Sequence, residues 1–167
     1  MSKRKKTVLK KGSNKKVRNA KPMELPGGIK FRSKLELFTY QKLLGAGIND
    51  FLYEKCKFIL QDAFEFTEDS YESFESTKNK NVTKGFNIAS NKIRSMSYLP
   101  DFTCIDETAK TGWIIEVKGW ATDSFDLKWK LFKHYLVANG YKVTLYKPNT
   151  QGNVSKCIEL IKSKYYA

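Results

Sequence analysis

The apolar residues of the chain first recur at helical spacing near position 40. In the segment SKLELFTYQKLL, Leu37, Tyr40 and Leu44 are three or four residues apart, and Gly45 follows them. Residues at this spacing share one face of a helix, and glycine favours a helix end. The pattern predicts a first helix from Ser33 to about Leu44.

Strand-like patterns follow on both sides of a long polar stretch. Before it, residues 51–53 and 56–64 are short runs of aromatic and β-branched residues, which indicate two strands or one bent strand. After it, the segments YLPDFTCID and WIIEVKG are separated by the polar turn DETAKTG. This arrangement predicts a β-hairpin.

Helical spacing returns in the C-terminal part. Phe125, Trp129, Phe132 and Leu136 mark an amphipathic helix that Gly140 ends. Residues 142–146 have the composition of a strand, and apolar residues between 154 and 165 line a closing helix. The order αβββαβ, with the closing helix after it, predicts an α/β fold with a mixed central sheet flanked by helices.

Two segments fall outside this pattern. Residues 65–97 are polar, with scattered Phe and Tyr and no sustained period, and they are acidic in their first half and basic in their second. We interpret them as an insertion that either folds back as a hairpin or stays mobile. Residues 1–30 have hardly any apolar periodicity, which indicates a disordered arm before a single domain at 31–167.

The arm supplies most of the net charge of +14. Ten Lys and Arg residues and no acid lie between positions 1 and 21, among them Lys3, Arg4, Lys5 and Lys6. The rest of the chain holds 21 bases and 17 acids. A cationic segment of this kind binds nucleic-acid phosphates by releasing condensed counterions. An acidic lipid, an acidic protein or a merely solvated tail are the alternatives to DNA.

Composition argues against several other classes of protein. No apolar run approaches the roughly 20 residues needed to cross a bilayer, and none follows the basic N-terminus as in a signal peptide. Cys56, Cys104 and Cys157 are odd in number and widely spaced, which argues against a disulfide framework and a thiolate zinc site. We expect a soluble protein that does not engage a membrane, with buried thiols in a reducing compartment.

The residues that can carry chemistry lie in the predicted hairpin. Pro100-Asp101 is followed, after fourteen residues, by Glu116-Val117-Lys118. Positions i and i+2 of a strand point to one face, so we expect Glu116 and Lys118 to project together and Val117 to point to the other side. Pairing of the two strands brings Asp101 beside Glu116.

Two adjacent carboxylates repel each other unless a cation lies between them. Oxygen ligands with open water positions suit Mg²⁺ or Mn²⁺, and the Val117 carbonyl is a further candidate ligand. Such an ion polarises a phosphate and lowers the pKa of an attacking water. Lys118 would orient that water or offset the charge that develops on the phosphate.

A plainer interpretation is a proline turn followed by an ordinary Glu-x-Lys pair on an exposed strand. The apolar neighbours Ile114, Ile115 and Val117 argue against it, because they set two charges into a predicted sheet interior, where unpaired charge is costly. Glu36 also has a plain explanation. Ser33-x-x-Glu36 fits a capping box, in which Glu36 reaches back to the start of the helix.

Two of these motifs resemble those of known nucleases. The Asp101 and Glu116-Val117-Lys118 arrangement resembles the PD-(D/E)XK motif of restriction-type nucleases. The run from Phe31 to Glu36 resembles the helix-one motif of the phage endonuclease I family of Holliday-junction resolvases. The resemblance covers about residues 31–146, interrupted by the insertion.

This resemblance implies a fold, a reaction and a site. The fold would be a restriction-endonuclease-like core, and the reaction a metal-dependent hydrolysis of phosphodiesters in branched or duplex DNA. The catalytic set would be Glu36, Asp101, Glu116 and Lys118, with Glu36 joining the metal site. In that family the dimer exchanges elements, so a homodimer is also considered.

Basic residues near the motifs complete the hypothesis. Arg32 and Lys34 flank the start of the first helix, and Lys128, Lys130 and Lys133 follow the active-site strand. Both groups can hold DNA phosphates, although a solvated helix face explains the second group equally well.

The expected function is therefore that of a Mg²⁺- or Mn²⁺-dependent DNA endonuclease of phage type, selective for branched DNA. Its expected location is the host cytoplasm, with the virion as a further option. The alternatives are a phage head-completion or DNA-end-processing nuclease and, from another class, a non-catalytic DNA-binding or virion structural protein.

Overall fold

The computed structural model describes residues 23–24, 28–78, 81–119 and 123–167. The fold begins slightly before Phe31, because Met23–Glu24 pairs with Lys30–Phe31. The four basic residues singled out near the N-terminus lie outside the described residues: Lys3, Arg4, Lys5 and Lys6.

The three helices predicted from the apolar spacing are present. They are α1 (Lys34–Gly45), α2 (Asp123–Ala138) and α3 (Gln151–Tyr165). Ser33 caps α1 and Thr150 caps α3, since each side chain accepts a hydrogen bond from a backbone N–H three residues further on.

The strands of the described residues are shorter and more numerous than predicted. In chain order they are β1 Met23–Glu24, β2 Lys30–Phe31, β3 Leu52–Tyr53, β4 Phe58–Gln61, β5 Phe64–Glu65, β6 Tyr71–Lys78, β7 Asn81–Ile88, β8 Lys92–Ile93, β9 Met96–Tyr98, β10 Phe102–Asp106, β11 Thr111–Ile115 and β12 Lys142–Tyr146.

A central sheet has the strand order β12-β11-β10-β3. β10 and β11 form the predicted antiparallel hairpin, and β3 pairs antiparallel with β10 on its other side. β12 runs parallel to β11, because α2 carries the chain from one strand to the other. The sheet is therefore mixed and is flanked by helices, which confirms the α/β prediction.

Side chains alternate between two apolar layers along β11. Trp113 and Ile115 pack with residues of α1 and α3, while Ile114 packs with residues of α2. All three are fully buried. Burial of side chains of this size stabilises the fold by about 1.5–3 kcal/mol each, so this strand holds both layers together.

The polar insertion folds back on itself as a two-stranded ribbon. β4 pairs with β9, β5 with β8 and β6 with β7, each antiparallel. We call residues 58–98 the ribbon. Of the two predicted alternatives, the described residues adopt the hairpin.

The base of the ribbon is anchored on α2. The ring centroid of Phe132 lies 5.0 Å from that of Phe58 in β4 and 4.5 Å from that of Tyr98 in β9. Both ribbon residues belong to the buried layer under α2. The rest of the ribbon, beyond this aromatic cluster, is exposed along residues 61–69 and 71–75.

Among the described residues, no helix combines the length and the apolar character that crossing a bilayer requires. Cys56, Cys104 and Cys157 are free thiols, as predicted. They are half-buried rather than buried, since each lies at the margin of an apolar layer rather than inside it.

Candidate functional site

The hairpin places Asp101 and Glu116 at the same end of the sheet. Asp101 directly precedes β10 and Glu116 directly follows β11, and Phe102 is paired with Ile115 between them. The Val117 N–H donates a hydrogen bond of 2.6 Å to Asp101 Oδ2. The predicted neighbourhood of Asp101 and the Glu-Val-Lys segment is therefore observed.

The Glu-Val-Lys segment lies beyond the regular strand and is held by the loop after β12. The Glu116 N–H donates to the Tyr146 carbonyl at 2.9 Å, and the Lys118 N–H donates to the Pro148 carbonyl at 3.0 Å. These bonds extend the parallel pairing of β11 and β12 past Ile115. They fix the backbone from which the Glu116 and Lys118 side chains project.

The two-residue alternation continues through this segment. Val117 is buried in the layer beneath α1 and α3. Lys118 points to the opposite face, where its Nζ lies 4.6 Å from the ring centroid of Phe125 in α2. Glu116 is buried as well. The prediction that Val117 turns away from Lys118 is confirmed.

Glu36 fills its capping role and joins the site at the same time. Its Oε1 accepts a hydrogen bond of 2.8 Å from the Ser33 hydroxyl, and its Oε2 accepts one of 3.0 Å from the Arg32 N–H. The Tyr53 hydroxyl donates to the same Oε2 at 2.8 Å. The carboxylate is buried and held from three sides, so its position is fixed before any ligand binds.

A carboxylate that the sequence did not single out completes the cluster. Glu36, Glu54 and Asp101 each offer an oxygen, and these oxygens all lie within 4.8 Å of one another. Glu116 does not belong to this tight set. The carboxylates thus form a trio at one position with Glu116 beside it.

The backbone of Glu54 is fixed in an uncommon conformation. Its N–H donates a hydrogen bond of 2.9 Å to the Asp101 carbonyl, and its φ is +46°, in the left-handed region that non-glycine residues rarely adopt. Arg32 Nη2 lies 3.1 Å from Glu54 Oε1. Such strain is found where surrounding structure holds a residue for a purpose.

The signal for Glu54 lies in strand pairing rather than in a motif. Glu54 directly follows β3, and Tyr53 of β3 is paired with Phe102, the residue after Asp101. Knowledge of that pairing would have placed Glu54 beside Asp101. The sequence alone predicts a strand at 51–53 without identifying its partner.

Burial and mutual repulsion raise the pKa of Asp101. Removal from water is the largest cause, and the negative charge of Glu116 is the next. The hydrogen bond from Val117 acts in the opposite direction. Charge at this carboxyl is therefore unfavourable in the absence of a cation.

The pKa of Glu116 is raised for the same leading reason, burial. The Tyr98 hydroxyl and the Lys118 ammonium oppose that effect, and Glu36 adds to it. Burial also raises the pKa of Glu54, although Arg32 acts against the shift. Three neighbouring carboxyls consequently share a tendency to bind a proton or another cation.

One buried oxygen of the site has no well-formed hydrogen bond within the described part of the chain. Glu116 Oε2 is buried and lacks a well-formed hydrogen bond to any described residue, although the Tyr98 hydroxyl is close enough to lower the pKa of Glu116. Buried polar atoms nearly always have a partner, so this carboxylate oxygen is a candidate to bind a cation or a water. Four carboxylates with one open oxygen fit a hard divalent cation that binds oxygen ligands.

Basic side chains surround a groove next to the Glu-Val-Lys segment. The groove has a volume of about 430 Å³, and its lining is Asp126, Trp129, Lys130, Lys133, Leu145 and Lys147. Lys147 was not singled out from the sequence, yet its Nζ lies 5.4 Å from the Phe125 ring that Lys118 also contacts. The groove therefore adjoins the site through Phe125.

The other described basic residues that were predicted to hold phosphates lie outside this groove. Arg32 is engaged with Glu54, although most of its side chain is exposed. Lys34 and Lys128 are exposed on α1 and α2, and Lys128 does not line the groove. Of the three α2 lysines, the structure brings two into the groove beside the site.

Comparison with family profiles, curated proteins and solved structures gives one finding. The profile of a family described as "Protein of unknown function (DUF1064)" matches residues 15–147. No curated protein and no solved structure gives a significant match. The matched range spans most of the chain and contains Glu36, Glu54, Asp101, Glu116 and Lys118. The chain therefore belongs to the DUF1064 family.

Proposed function

We propose that this protein is a Mg²⁺- or Mn²⁺-dependent DNA endonuclease whose active site is centred on Asp101, Glu116 and Lys118. The observation that carries the proposal is the neighbouring pair of half-buried Asp101 and buried Glu116, with a Glu116 Oε2 that lacks a well-formed hydrogen bond and Lys118 two residues away. Carboxylates in this state are unfavourable unless a cation binds them. A lysine beside such a cation site suits chemistry on a phosphate.

The chain supplies the ligands of the cation from its own residues. Oxygens of Asp101, Glu116, Glu36 and Glu54 would hold it, and the Val117 carbonyl is a further candidate. A cation bound there would polarise the phosphate of the substrate and lower the pKa of an attacking water. A single chain brings Glu36, Glu54 and Asp101 together with Glu116 beside them, so the proposed ligands can all come from one copy.

Lys118 has the geometry of a positioning and charge-offsetting group. Its backbone is fixed by the Pro148 carbonyl, and its Nζ rests over the Phe125 ring. An ammonium held in this way can orient the attacking water or offset the charge that develops on the phosphate. Phe125 limits the positions that the ammonium can reach, which keeps it near the carboxylates.

DNA is the proposed substrate because of the charge around the site. Lys130, Lys133 and Lys147 line the adjacent groove, and their ammonium groups are suited to backbone phosphates. The basic segment before residue 22 adds a larger cationic field. Both features favour a polyanion over a small phosphoester.

The order of elements agrees with the restriction-endonuclease-like core that the sequence motifs imply. A helix carrying Glu36 precedes a strand that ends next to Glu54, a hairpin that carries Asp101 and Glu116, a second helix and a parallel strand. This agreement supports the proposed fold family. Selectivity for branched DNA, a phage origin and a place in the host cytoplasm or the virion belong to the same proposal.

The test uses supercoiled plasmid and a synthetic four-way junction with Mg²⁺, Mn²⁺ or Ca²⁺. We expect cleavage with the first two ions and binding without cleavage with Ca²⁺, whose looser geometry does not suit the reaction. Glu116→Gln and Lys118→Met should abolish cleavage while keeping DNA affinity. The matched control is Glu159→Gln, an exposed glutamate on α3 that pairs with Lys156.

Undiminished cleavage by both site variants would overturn the assignment. Salt-sensitive DNA binding with no cleavage under any ion would instead favour the non-catalytic DNA-binding or virion structural alternative. The ratio of junction to plasmid cleavage would separate a branched-DNA nuclease from an end-processing one.

A further inference from the structure

The ribbon carries an exposed apolar face that the proposed nuclease activity does not use. β6 and β7 pair from Tyr71 opposite Ile88 to Lys78 opposite Asn81. Paired residues point to one face, so Tyr71, Phe86 and Ile88 share a face. Their exposed fractions are 56%, 65% and 55%. We call these three residues the ribbon face.

The opposite face of the ribbon is arranged differently. Phe74 lies across from Gly85, and its ring occupies the space that a Cβ at Gly85 would fill. An aromatic ring placed over a cross-strand glycine covers its own strand pair. On the ribbon face, Tyr71 and Phe86 stack on each other with ring centroids 6.1 Å apart and leave their outer surfaces open. Phe74 is 42% exposed, so the more open apolar surface of this strand pair is the ribbon face.

A ribbon of this kind is short of stabilising contacts. A two-stranded hairpin is marginal in water without a third strand or a packed face. Beyond its base on α2, the ribbon is exposed along residues 61–69 and 71–75. Covering the ribbon face would supply the missing apolar contact.

Charge argues against DNA as the occupant of this face. Between residues 64 and 94 the chain has five acids and five bases, whereas the whole chain has a net charge of +14. A neutral segment gains little from phosphate contacts, which depend on released counterions. A protein surface fits better.

The charges are segregated in a way that suits a second copy of this chain. All five acids precede residue 76 and all five bases follow residue 77. Two ribbons that stack face to face about a two-fold axis along their length place the outgoing strand of one over the returning strand of the other. Glu75 of one copy then faces Lys84 of the second copy, in addition to the ion pair of 3.4 Å within each ribbon.

We propose that the ribbon face is a self-association surface, through which two copies of this chain pair by their Tyr71, Phe86 and Ile88 side chains. The eight residues of each strand make a face roughly 26 Å long and about 10 Å wide. Two such faces bury well under the 1,200 Å² or so that stable complexes bury. The pairing is therefore reversible, with a monomer–dimer equilibrium that depends on protein concentration.

Sedimentation velocity of the full chain over a wide range of concentrations tests the proposal. We expect a shift from monomer to dimer in the wild type. Phe86→Thr and Ile88→Thr, which keep a high strand propensity, should weaken dimerisation roughly tenfold or more. Val137→Thr, at a position 78% exposed on α2, is the matched control and should leave the equilibrium unchanged.

A charge exchange tests the orientation of the two copies. Glu75→Lys and Lys84→Glu should each weaken self-association at low salt, because each opposes like charges across the two copies. An equimolar mixture of the two variants should dimerise again, since Lys at 75 then faces Glu at 84. An ion pair that acts only within one ribbon would give no recovery on mixing.

Two results would overturn the proposal. A wild-type chain that stays monomeric at every concentration would show that the ribbon face does not bind a second copy. Ribbon-face variants that keep the wild-type association state but lose affinity for DNA would assign the face to nucleic acid. Neither readout requires cleavage, so the outcome is independent of the proposed nuclease activity.

Discussion

The carboxylates of the candidate site and those of the ribbon occupy opposite environments. At the site, Glu36 and Glu116 are buried and Asp101 is partly so, and Lys118 and Arg32 lie close as counter-charges. Along the ribbon, Glu75 is 57% exposed and pairs with Lys84. An ionised carboxylate therefore lowers the stability of the fold at the candidate site and has little effect on stability in the ribbon.

This difference separates two uses of negative charge. Buried carboxylates with raised pKa values and an open oxygen gain free energy when a cation binds, which is the property of a ligand site. Exposed carboxylates matched one for one by lysines and arginines gain little from any ion, and they are suited to orient a contact between surfaces. Substitutions in the two regions should therefore have effects of different size and kind.

The largest contrast is expected in catalysis. Asp101→Asn should lower the plasmid nicking rate in Mg²⁺ by roughly 10³-fold or more, because it removes charge from the centre of the proposed cation site. Glu75→Gln, on the ribbon, should leave the rate unchanged. Nicking by the two variants at equal protein concentration is the measurement. Equal rates would remove the distinction between the two regions.

The next contrast concerns Glu54, which only the structure brought to light. Glu54→Gln should raise the Mg²⁺ concentration needed for half-maximal cleavage by about tenfold, which corresponds to about 1.4 kcal/mol of lost binding. The maximal rate should fall less, because Asp101 and Glu116 remain. A titration of cleavage rate against Mg²⁺ measures both quantities. An unchanged half-maximal concentration would show that Glu54 only anchors Arg32.

A smaller effect is expected on the free energy of unfolding when no metal is present. A carboxyl whose folded pKa is raised contributes most to stability below its unfolded pKa of about 4, and that contribution is lost as the pH rises through the raised value. Burial and Glu116 raise the pKa of Asp101 in this way. In EDTA the wild type should therefore lose stability as the pH rises from about 5 to 8.

Denaturant unfolding of Asp101→Asn tests this expectation. The variant should be more stable than the wild type by about 1–2 kcal/mol at the alkaline end without metal, since its amide can still accept the Val117 hydrogen bond. Mg²⁺ should stabilise the wild type and have little effect on the variant. If the free energy of unfolding of the two proteins changed with pH in the same way in EDTA, the predicted repulsion between Asp101 and Glu116 would be contradicted.

The smallest effect is expected for the ribbon ion pair in dilute protein. Glu75→Gln should change the free energy of unfolding by less than about 0.5 kcal/mol, because exposed ion pairs contribute little. Unfolding below the concentration at which dimers form is the measurement. A loss of several kcal/mol would show that the ribbon depends on this ion pair for its fold. The exposed carboxylates of the ribbon would then affect stability as strongly as the buried ones of the site.

The sequence predicted the features that depend on local spacing. The boundaries of α1 and of β12 follow from apolar periodicity, glycine positions and strand composition. The burial of Val117 on the side opposite Lys118 follows from the two-residue repeat of a strand. The capping of α1 by Ser33 and Glu36 follows from a motif within one turn.

The ribbon shows why local spacing sometimes fails. Beyond its base, most described side chains of the ribbon are exposed, so no buried face imposes an alternation of apolar and polar residues along its strands. Residues 65–97 accordingly gave no sustained period. The acidic first half and the basic second half were visible, but which residue pairs with which was not.

By itself the sequence determined the helices, the hairpin and the placement of Asp101, Glu116 and Lys118 next to the ends of adjoining strands, because each depends on neighbours in the chain. The tertiary structure alone decided the place of Glu54 and of Lys147. Glu54 reaches the site because β3 pairs with β10, and Lys147 reaches it because β12 lies parallel to β11. Such pairings join segments that are distant in sequence, and their stability comes from the packed layers on both faces of the sheet, which no local pattern encodes.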